Sequence, residues 1–362
     1  MKYKNGLDSR PAYLRIYTQI RESIIRGDYP YGTKLPSKRV LSAETGVSTI
    51  TIEHAYGLLC DEGYAEARER SGFFVIFRKS DGFAAAAERF TQPVTHENRA
   101  DPYPDFPFSV LSKTMRGILS AYGETVLEKS PNAGRKELRE ALKLYLARNR
   151  DINVDIEQII IGSGSEYLYG LIIELLGRNL VYGIESPSYK KIEQVYRAAE
   201  VNFEFLPLSD DGIDGNALLR AKANVLHTTP YRSYPTGITA SASKRHEYVR
   251  WSAINDRFII EDDFESEFSV STKSEDTLFS LSGHENVIYL NTFSKTISPS
   301  LRIGYMVLPK RLVESFNSKL GFYSCTVPTF EQFVLAELIN SGDFERHINR
   351  VRRQKRRELS LK

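Results

Sequence analysis

Lys295 closes the run Val287-Ile288-Tyr289-Leu290-Asn291-Thr292-Phe293-Ser294. A lysine after a buried strand can lose its proton and form an imine with a carbonyl. Asp262, following Phe258-Ile259-Ile260-Glu261, can hold a protonated ring nitrogen, and Tyr189, in Glu185-Ser186-Pro187-Ser188-Tyr189, can stack on a flat ring. Ser163-Gly164-Ser165 offers small residues with free N–H groups at the start of a helix, which suits a phosphate; Thr292, Ser294 and Arg302 can add donors. Each feature has an ordinary explanation alone: a lysine after a strand is usually a surface lysine, and Asp262 beside Asp263 can cap a helix. Jointly, an imine former, an acid, a ring stacker and a phosphate cradle are complementary to pyridoxal phosphate.

Such residues need elements that converge. They follow the apolar runs Gln158-Ile159-Ile160-Ile161, Asn179-Leu180-Val181-Tyr182-Gly183-Ile184, Asn224-Val225-Leu226-His227, Arg257-Phe258-Ile259-Ile260 and Val287-Ile288-Tyr289-Leu290, which alternate with amphipathic segments. That alternation predicts an α/β domain with a mostly parallel sheet over 103–362, whose ligands sit beyond the carboxyl ends of the strands. No internal repeat is found. Residues 79–102, with Ala84-Ala85-Ala86-Ala87 and Pro93, lack an apolar period and read as a linker.

Residues 1–78 form a different unit. Ile16, Tyr17, Ile20 and Ile24 recur at helical spacing between Pro11 and Gly27, and Ser37 can cap a second helix ending at Gly46. Ser48 can cap a third, with Ile52, Ala55, Tyr56 and Leu59 facing inward. Tyr64-Ala65-Glu66-Ala67-Arg68 and Phe73-Phe74-Val75-Ile76-Phe77, joined through Arg70-Ser71-Gly72, predict a β-hairpin. Three helices and a hairpin make a winged helix-turn-helix. Its residues, Leu35-Pro36-Ser37-Lys38-Arg39-Val40-Leu41, Gly46-Val47-Ser48, Thr51, Ala55-Tyr56, Leu59 and Glu62-Gly63-Tyr64, closely resemble the GntR signature. The resemblance implies double-stranded DNA as partner, with contacts at Arg39, Ser48, Thr49, Thr51 and the wing residue Gly72. Thr49 stands where relatives usually carry an Arg able to grip a guanine, so the base preference is expected to differ.

The large domain resembles fold-type I aminotransferases, and the two-domain chain resembles the MocR-type regulators that join a GntR reader to such a domain. The resemblance runs through Pro131-Asn132-Ala133-Gly134, Glu185 to Tyr189, Pro235-Thr236-Gly237, Ile260 to Phe268, Thr292-Phe293-Ser294-Lys295 and Leu301-Arg302-Ile303-Gly304-Tyr305. It implies that Lys295 carries the cofactor, that Asp262 partners its ring nitrogen, that Tyr189 stacks, and that Gly164, Ser165, Thr292 and Arg302 hold the phosphate. Phe264 replaces a Tyr that usually meets the cofactor's 3′-oxygen, Glu166 replaces a Gln, and Arg232-Ser233 replace a His-Gln pair. Relatives continue beyond the position of Lys362 into a C-terminal subdomain that binds a substrate's carboxylate, so weak or absent transaminase turnover is expected.

Composition agrees with a folded chain: 41% hydrophobic and 26% charged, with a net charge of +3. Residues 1–80 hold 13 Lys and Arg against 9 Asp and Glu, so the basic surplus is N-terminal, where phosphate contacts need it. Two cysteines make no disulfide framework, the six histidines show no metal spacing or triad partner, and the C-terminal run from Arg346 to Arg357 reads as a solvated helix face. The most apolar stretch, residues 168–184, is broken by Glu174 and Arg178, so membrane insertion is not expected. The expected function is that of a cytoplasmic, homodimeric transcription regulator sensing pyridoxal phosphate, an amine or an amino acid. The alternatives are a working aminotransferase with a fused DNA reader and a cofactor-free dimerisation scaffold.

Overall fold

Helix α1 (Ala12–Arg26) buries Ile16, Tyr17, Ile20 and Ile24 on one stripe and stops where Gly27, at φ 92°, turns left-handed and returns its N–H to the Ser23 and Ile24 carbonyls. The structure is a computed structural model that describes residues 11–69, 71–77, 106–269, 276–283 and 285–360. The chain divides into two units, 1–99 and 100–362. The linker expected over 79–102 and Arg70 of the wing lie outside the described residues.

In the first unit, α2 (Lys38–Thr45) and α3 (Thr49–Asp61) begin where the Ser37 and Ser48 hydroxyls accept from the N–H groups of Val40 and Thr51. Gly46, at φ 73°, makes the turn between them. Ile52, Ala55, Tyr56 and Leu59 are fully buried, each large side chain contributing about 1.5–3 kcal/mol. Strands β1 (Ala65–Arg68) and β2 (Gly72–Val75) pair antiparallel. Both are four residues long, shorter than expected, although the Ile76 N–H still donates to the Tyr64 carbonyl at 3.1 Å and the Tyr64 and Phe77 rings pack 5.5 Å apart beyond them.

The second unit contains an eight-stranded sheet in the order β3-β10-β9-β8-β7-β4-β5-β6. Its strands are β3 (Ile159–Gly162), β4 (Val181–Ser186), β5 (Asn202–Ser209), β6 (Gly212–Ile213), β7 (Val225–Thr228), β8 (Phe258–Asp262), β9 (Val287–Thr292) and β10 (Gly304–Val307). Only β6 and β10 run against the rest, so the sheet is mostly parallel. Alternate residues face opposite layers, and both are buried: Ile159, Ile161, Ile259, Val287 and Tyr289 join one apolar cluster, while Ile160, Ile260, Ile288 and Leu290 join the other. The helices are α4 (Phe108–Tyr122), α5 (Lys136–Arg150), α6 (Ser165–Leu176), α7 (Lys190–Ala198), α8 (Gly215–Arg220), α9 (Ala242–Ala253), α10 (Leu278–Leu281), α11 (Lys310–Leu320), α12 (Thr329–Asn340) and α13 (Asp343–Ser360). Residues of α5, α9, α12 and α13 enter the first cluster, and those of α6, α7 and α11 the second. None of the described helices is long and apolar enough to cross a membrane.

The five expected strands extend further toward their carboxyl ends than their apolar runs. Polar residues continue the ladder: Glu185-Ser186, Thr228, Glu261-Asp262 and Asn291-Thr292. Several expected site residues therefore occupy the last rungs of the sheet rather than loops, and their directions are fixed by strand alternation.

Candidate cofactor and DNA-binding sites

Alternation at the end of β8 separates three consecutive acids. Asp262 shares the face of Ile260, toward α6 and α7, whereas Glu261 and Asp263 point to the opposite layer. The Asp262 Oδ2 accepts from the Tyr169 hydroxyl of α6, and the His227 Nε2 of β7 lies 3.8 Å from the same oxygen. His227 Nδ1 in turn pairs with the Tyr196 hydroxyl of α7 at 2.7 Å. Burial first, and then the Asp262 charge, push the Tyr169 phenol well above its ordinary range, so it stays a donor. Asp262 Oδ1 is buried and has no hydrogen-bond partner among the described residues. An unsatisfied buried acceptor costs about 1–3 kcal/mol, a cost that a ligand donor would remove.

A second corner is built from strand ends. Gly162, Gly304 and Thr292 stand in register across β3, β10 and β9. Gly164 caps α6 at φ 103°, a backbone conformation that favours glycine, and the Arg302 Nη2 lies 2.7 Å from where a Cβ would stand. Arg302 is itself left-handed at φ 49° and donates to the Glu166 Oε2 at 2.7 Å. The Lys191 ammonium donates to the other Glu166 oxygen. Ser165 opens α6. The backbone N–H of Thr292 is taken by the Asn291 side chain at 2.6 Å.

Lys295 is half-buried in a turn three residues beyond β9, held on either side by buried Phe293 and Ile297, whose N–H donates to the Phe293 carbonyl at 2.9 Å. Tyr189 precedes α7, is 36% exposed, and meets Tyr234 edge-on with ring centroids 6.0 Å apart. Phe264 is half-buried and brings no phenol. Ser233 donates to buried Glu185, which also accepts from Thr228 and from the Thr229 N–H. Burial is the main force pushing the Glu185 carboxyl up to about 7, with those hydrogen bonds opposing it. Arg232 sits 3.3 Å from Glu265.

Several residues near this edge were not singled out in the sequence. His227 has a carboxylate neighbour after all, and Lys191 completes a charged bridge with Glu166 and Arg302. Helix α13 is exposed at Arg353, Arg356 and Arg357 as expected, but Arg352 donates to the Glu267 carbonyl at 2.6 Å and Lys355 is half-buried over the Phe268 ring. Burial, then Arg232, lower the Lys355 ammonium to about 8, with Lys295 adding to the effect.

On the first unit, Arg39, Ser48, Thr49 and Gly72 are exposed and Thr51 half-exposed. The Ser48 hydroxyl caps α3 and lies 2.8 Å from the Thr51 hydroxyl, so it already has an architectural task. Ile50 is 77% exposed beside Thr49. Gly72, at φ 103°, lets the Lys34 side chain pass at the start of β2, where an added Cβ would lie 3.3 Å from it. Lys38 ties α2 to α3 through Glu53 at 2.7 Å.

Residues 12–75 match the family of bacterial regulatory proteins, gntR family, and residues 103–361 match aminotransferase class I and II. The chain is 33% identical over 364 residues to the uncharacterized HTH-type transcriptional regulator YdeL of Bacillus subtilis, covering 97% of this chain and 78% of YdeL. It is 26% identical to the probable rhizopine catabolism regulatory protein MocR of Rhizobium meliloti, covering 95% of this chain and 74% of MocR. Among solved structures it is similar to kynurenine aminotransferase of Pyrococcus horikoshii, with a TM-score of 0.64 and 27% identity over 72% of this chain and 68% of that one.

Proposed function

The chain belongs to the GntR-family bacterial regulators of the MocR type, a winged helix-turn-helix joined to an aminotransferase-like domain, and from that premise we propose that its DNA binding answers to pyridoxal phosphate and to a small amine or amino acid. In this reading the protein works in the cytoplasm as a homodimer, the usual state of aminotransferase-like folds. The observation that carries it is Asp262, buried with one oxygen tied to Tyr169 and the other without a donor. A protonated ring nitrogen would supply that donor. In this reading Tyr189 would offer a ring face, Gly164, Ser165, Thr292 and Arg302 would hold the phosphate, and Lys295 would supply the amine.

When bound, pyridoxal phosphate supplies an aldehyde that combines reversibly with primary amines. Asp262, held in place by the Tyr169 hydroxyl, would keep a proton on the ring nitrogen. Lys295 would supply the primary amine that holds the cofactor. Arg39, Ser48, Thr49, Thr51 and Gly72 would meet the DNA, α3 entering the major groove. Regulation requires only that the effector bind two conformations with different affinity. Adding pyridoxal phosphate to the purified protein should give a visible absorbance band that borohydride fixes onto Lys295. A Lys295→Ala protein that keeps the band would overturn the assignment, and gel shifts insensitive to cofactor and amine would overturn the sensing role.

A further inference from the structure

Glu166 occupies the first turn of α6 and divides its carboxylate between two cations: Lys191 on Oε1 and Arg302, at 2.7 Å, on Oε2. Burial alone would raise this carboxyl, but the hydrogen bonds from Lys191, from its own backbone N–H and from Arg302 hold it down at about 2. Lys191 is raised in return, chiefly by the bond to Glu166. Glu166 is therefore a fixed anion at working pH. It stands where helix N–H groups, Arg302 and a lysine would otherwise favour a phosphate. The Arg302 guanidinium lies beside Gly164, at the start of the same helix.

Resting on the reading that this corner takes the cofactor's phosphate, we propose that Lys191 is a member of the phosphate site and that Glu166 is a built-in competitor for it, neutralising both cations until a phosphate monoester takes them. An internal anion of this kind lowers affinity, so occupancy follows the free concentration of the phosphate ester instead of saturating at trace levels. Glutamine at this position would keep the shape and polar reach of the side chain and remove the charge. One unit charge at hydrogen-bonding distance from a shared cation changes anion affinity by about tenfold or more.

The test compares the full chain with Glu166→Gln and Glu166→Ala, titrating pyridoxal phosphate, pyridoxal and inorganic phosphate at low ionic strength. Binding is read by absorbance for the ring compounds and by ³¹P NMR for phosphate. Both variants should bind pyridoxal phosphate and inorganic phosphate about tenfold tighter, with pyridoxal unchanged. Adding Lys191→Ala to Glu166→Gln should remove most of that gain. Unchanged phosphate affinity in folded variants, an equal gain for pyridoxal, or indifference to Lys191 would each overturn the proposal. Should Lys295 form no absorbance band while phosphate binding still tightens, the cofactor reading fails and the assignment of Glu166 and Lys191 stands.

Discussion

In the N-terminal unit the residues proposed to meet DNA, Arg39, Thr49 and Gly72, lie on the surface over an apolar core of Ile16, Ile20, Leu41, Ile52 and Leu59. In the large unit Asp262, Glu185 and His227 are at most 4% exposed, and polar atoms such as Asp262 Oδ1 and His227 Nε2 are buried without hydrogen-bond partners among the described residues. A DNA reader meets a long polyanion that remains largely hydrated, so its contacts can stay in water and its stability can come from ordinary burial. A pocket that holds a small ring must desolvate its own acids first, and the ligand then restores the missing hydrogen bonds. Stability and function are thus separable in the first unit and entangled in the second.

The largest test of that contrast is the buried pair Arg150–Asp263, which also takes a hydrogen bond from the Tyr289 hydroxyl. Arg150→Ala leaves the Asp263 carboxylate uncompensated in the interior and should destabilise the large unit by about 3–5 kcal/mol. Trp251, the only tryptophan, lies in that unit, so its fluorescence in urea reports the change directly. A loss under about 1 kcal/mol would mean that the interior tolerates an unpaired charge, and the contrast would collapse. The matching change in the first unit is apolar. Ile52→Ala should cost about 2–5 kcal/mol, visible as DNA binding lost at lower urea, with the Trp251 transition unmoved.

A smaller effect separates surface function from stability. Arg39→Ala should weaken DNA binding by about 1–3 kcal/mol with no change in unfolding. Gel shifts at several salt concentrations distinguish a phosphate contact, which lowers the salt slope, from a base contact, which relaxes sequence preference. A change in unfolding midpoint comparable to the binding loss would show that Arg39 belongs to the fold instead.

The same contrast explains what could be read in advance. Helix caps at Ser37 and Ser48, the turn at Gly46 and the stripe from Ile16 to Ile24 are local signals, so nearly all of the first unit was legible. In the large unit the apolar runs marked β3, β4, β7, β8 and β9, but the edge strands β5 and β6 were missed, and so was β10. As for β10, the reason is its place in the sheet. It has four residues and inserts antiparallel between β3 and β9, a pairing that no sequence period encodes. The bridge from Lys191 through Glu166 to Arg302 joins positions 25 and 136 residues apart. The His227–Asp262 approach likewise depends on two strands lying side by side. Residue types identified the chemistry, whereas the partners that tune it are products of tertiary packing.

The finest test is the pH dependence of stability, where the large unit should show a slope near neutrality and the first unit none. Burial is the largest cause that raises Glu185 to about 7, Glu267 to about 7 and Glu261 to about 8. Unfolded, each titrates near 4.5, so between that value and the raised one the folded unit holds protons that the unfolded chain has released. Their contribution is fully present below pH 4.5 and is lost as the pH rises through 7 to 8. His347 works the other way: burial lowers it to about 4, so its contribution is lost as pH falls from 6.5. Between pH 6.5 and 7.5 the carboxyl effect stands largely alone, and the Trp251 transition should move to lower urea as the pH rises. The raised groups of the first unit, Tyr17, Arg21, Tyr29 and Cys60, all titrate above this window, and its unfolding should show no matching slope. Glu185→Gln keeps an acceptor oxygen for Thr228 and the Thr229 N–H, and an amide N–H that the Ser233 hydroxyl can accept, while removing one titration, so it should flatten the large unit's slope without abolishing it. An unchanged slope in that variant would show that Glu185 is ionised in the folded protein, and that its hydrogen bonds outweigh its burial.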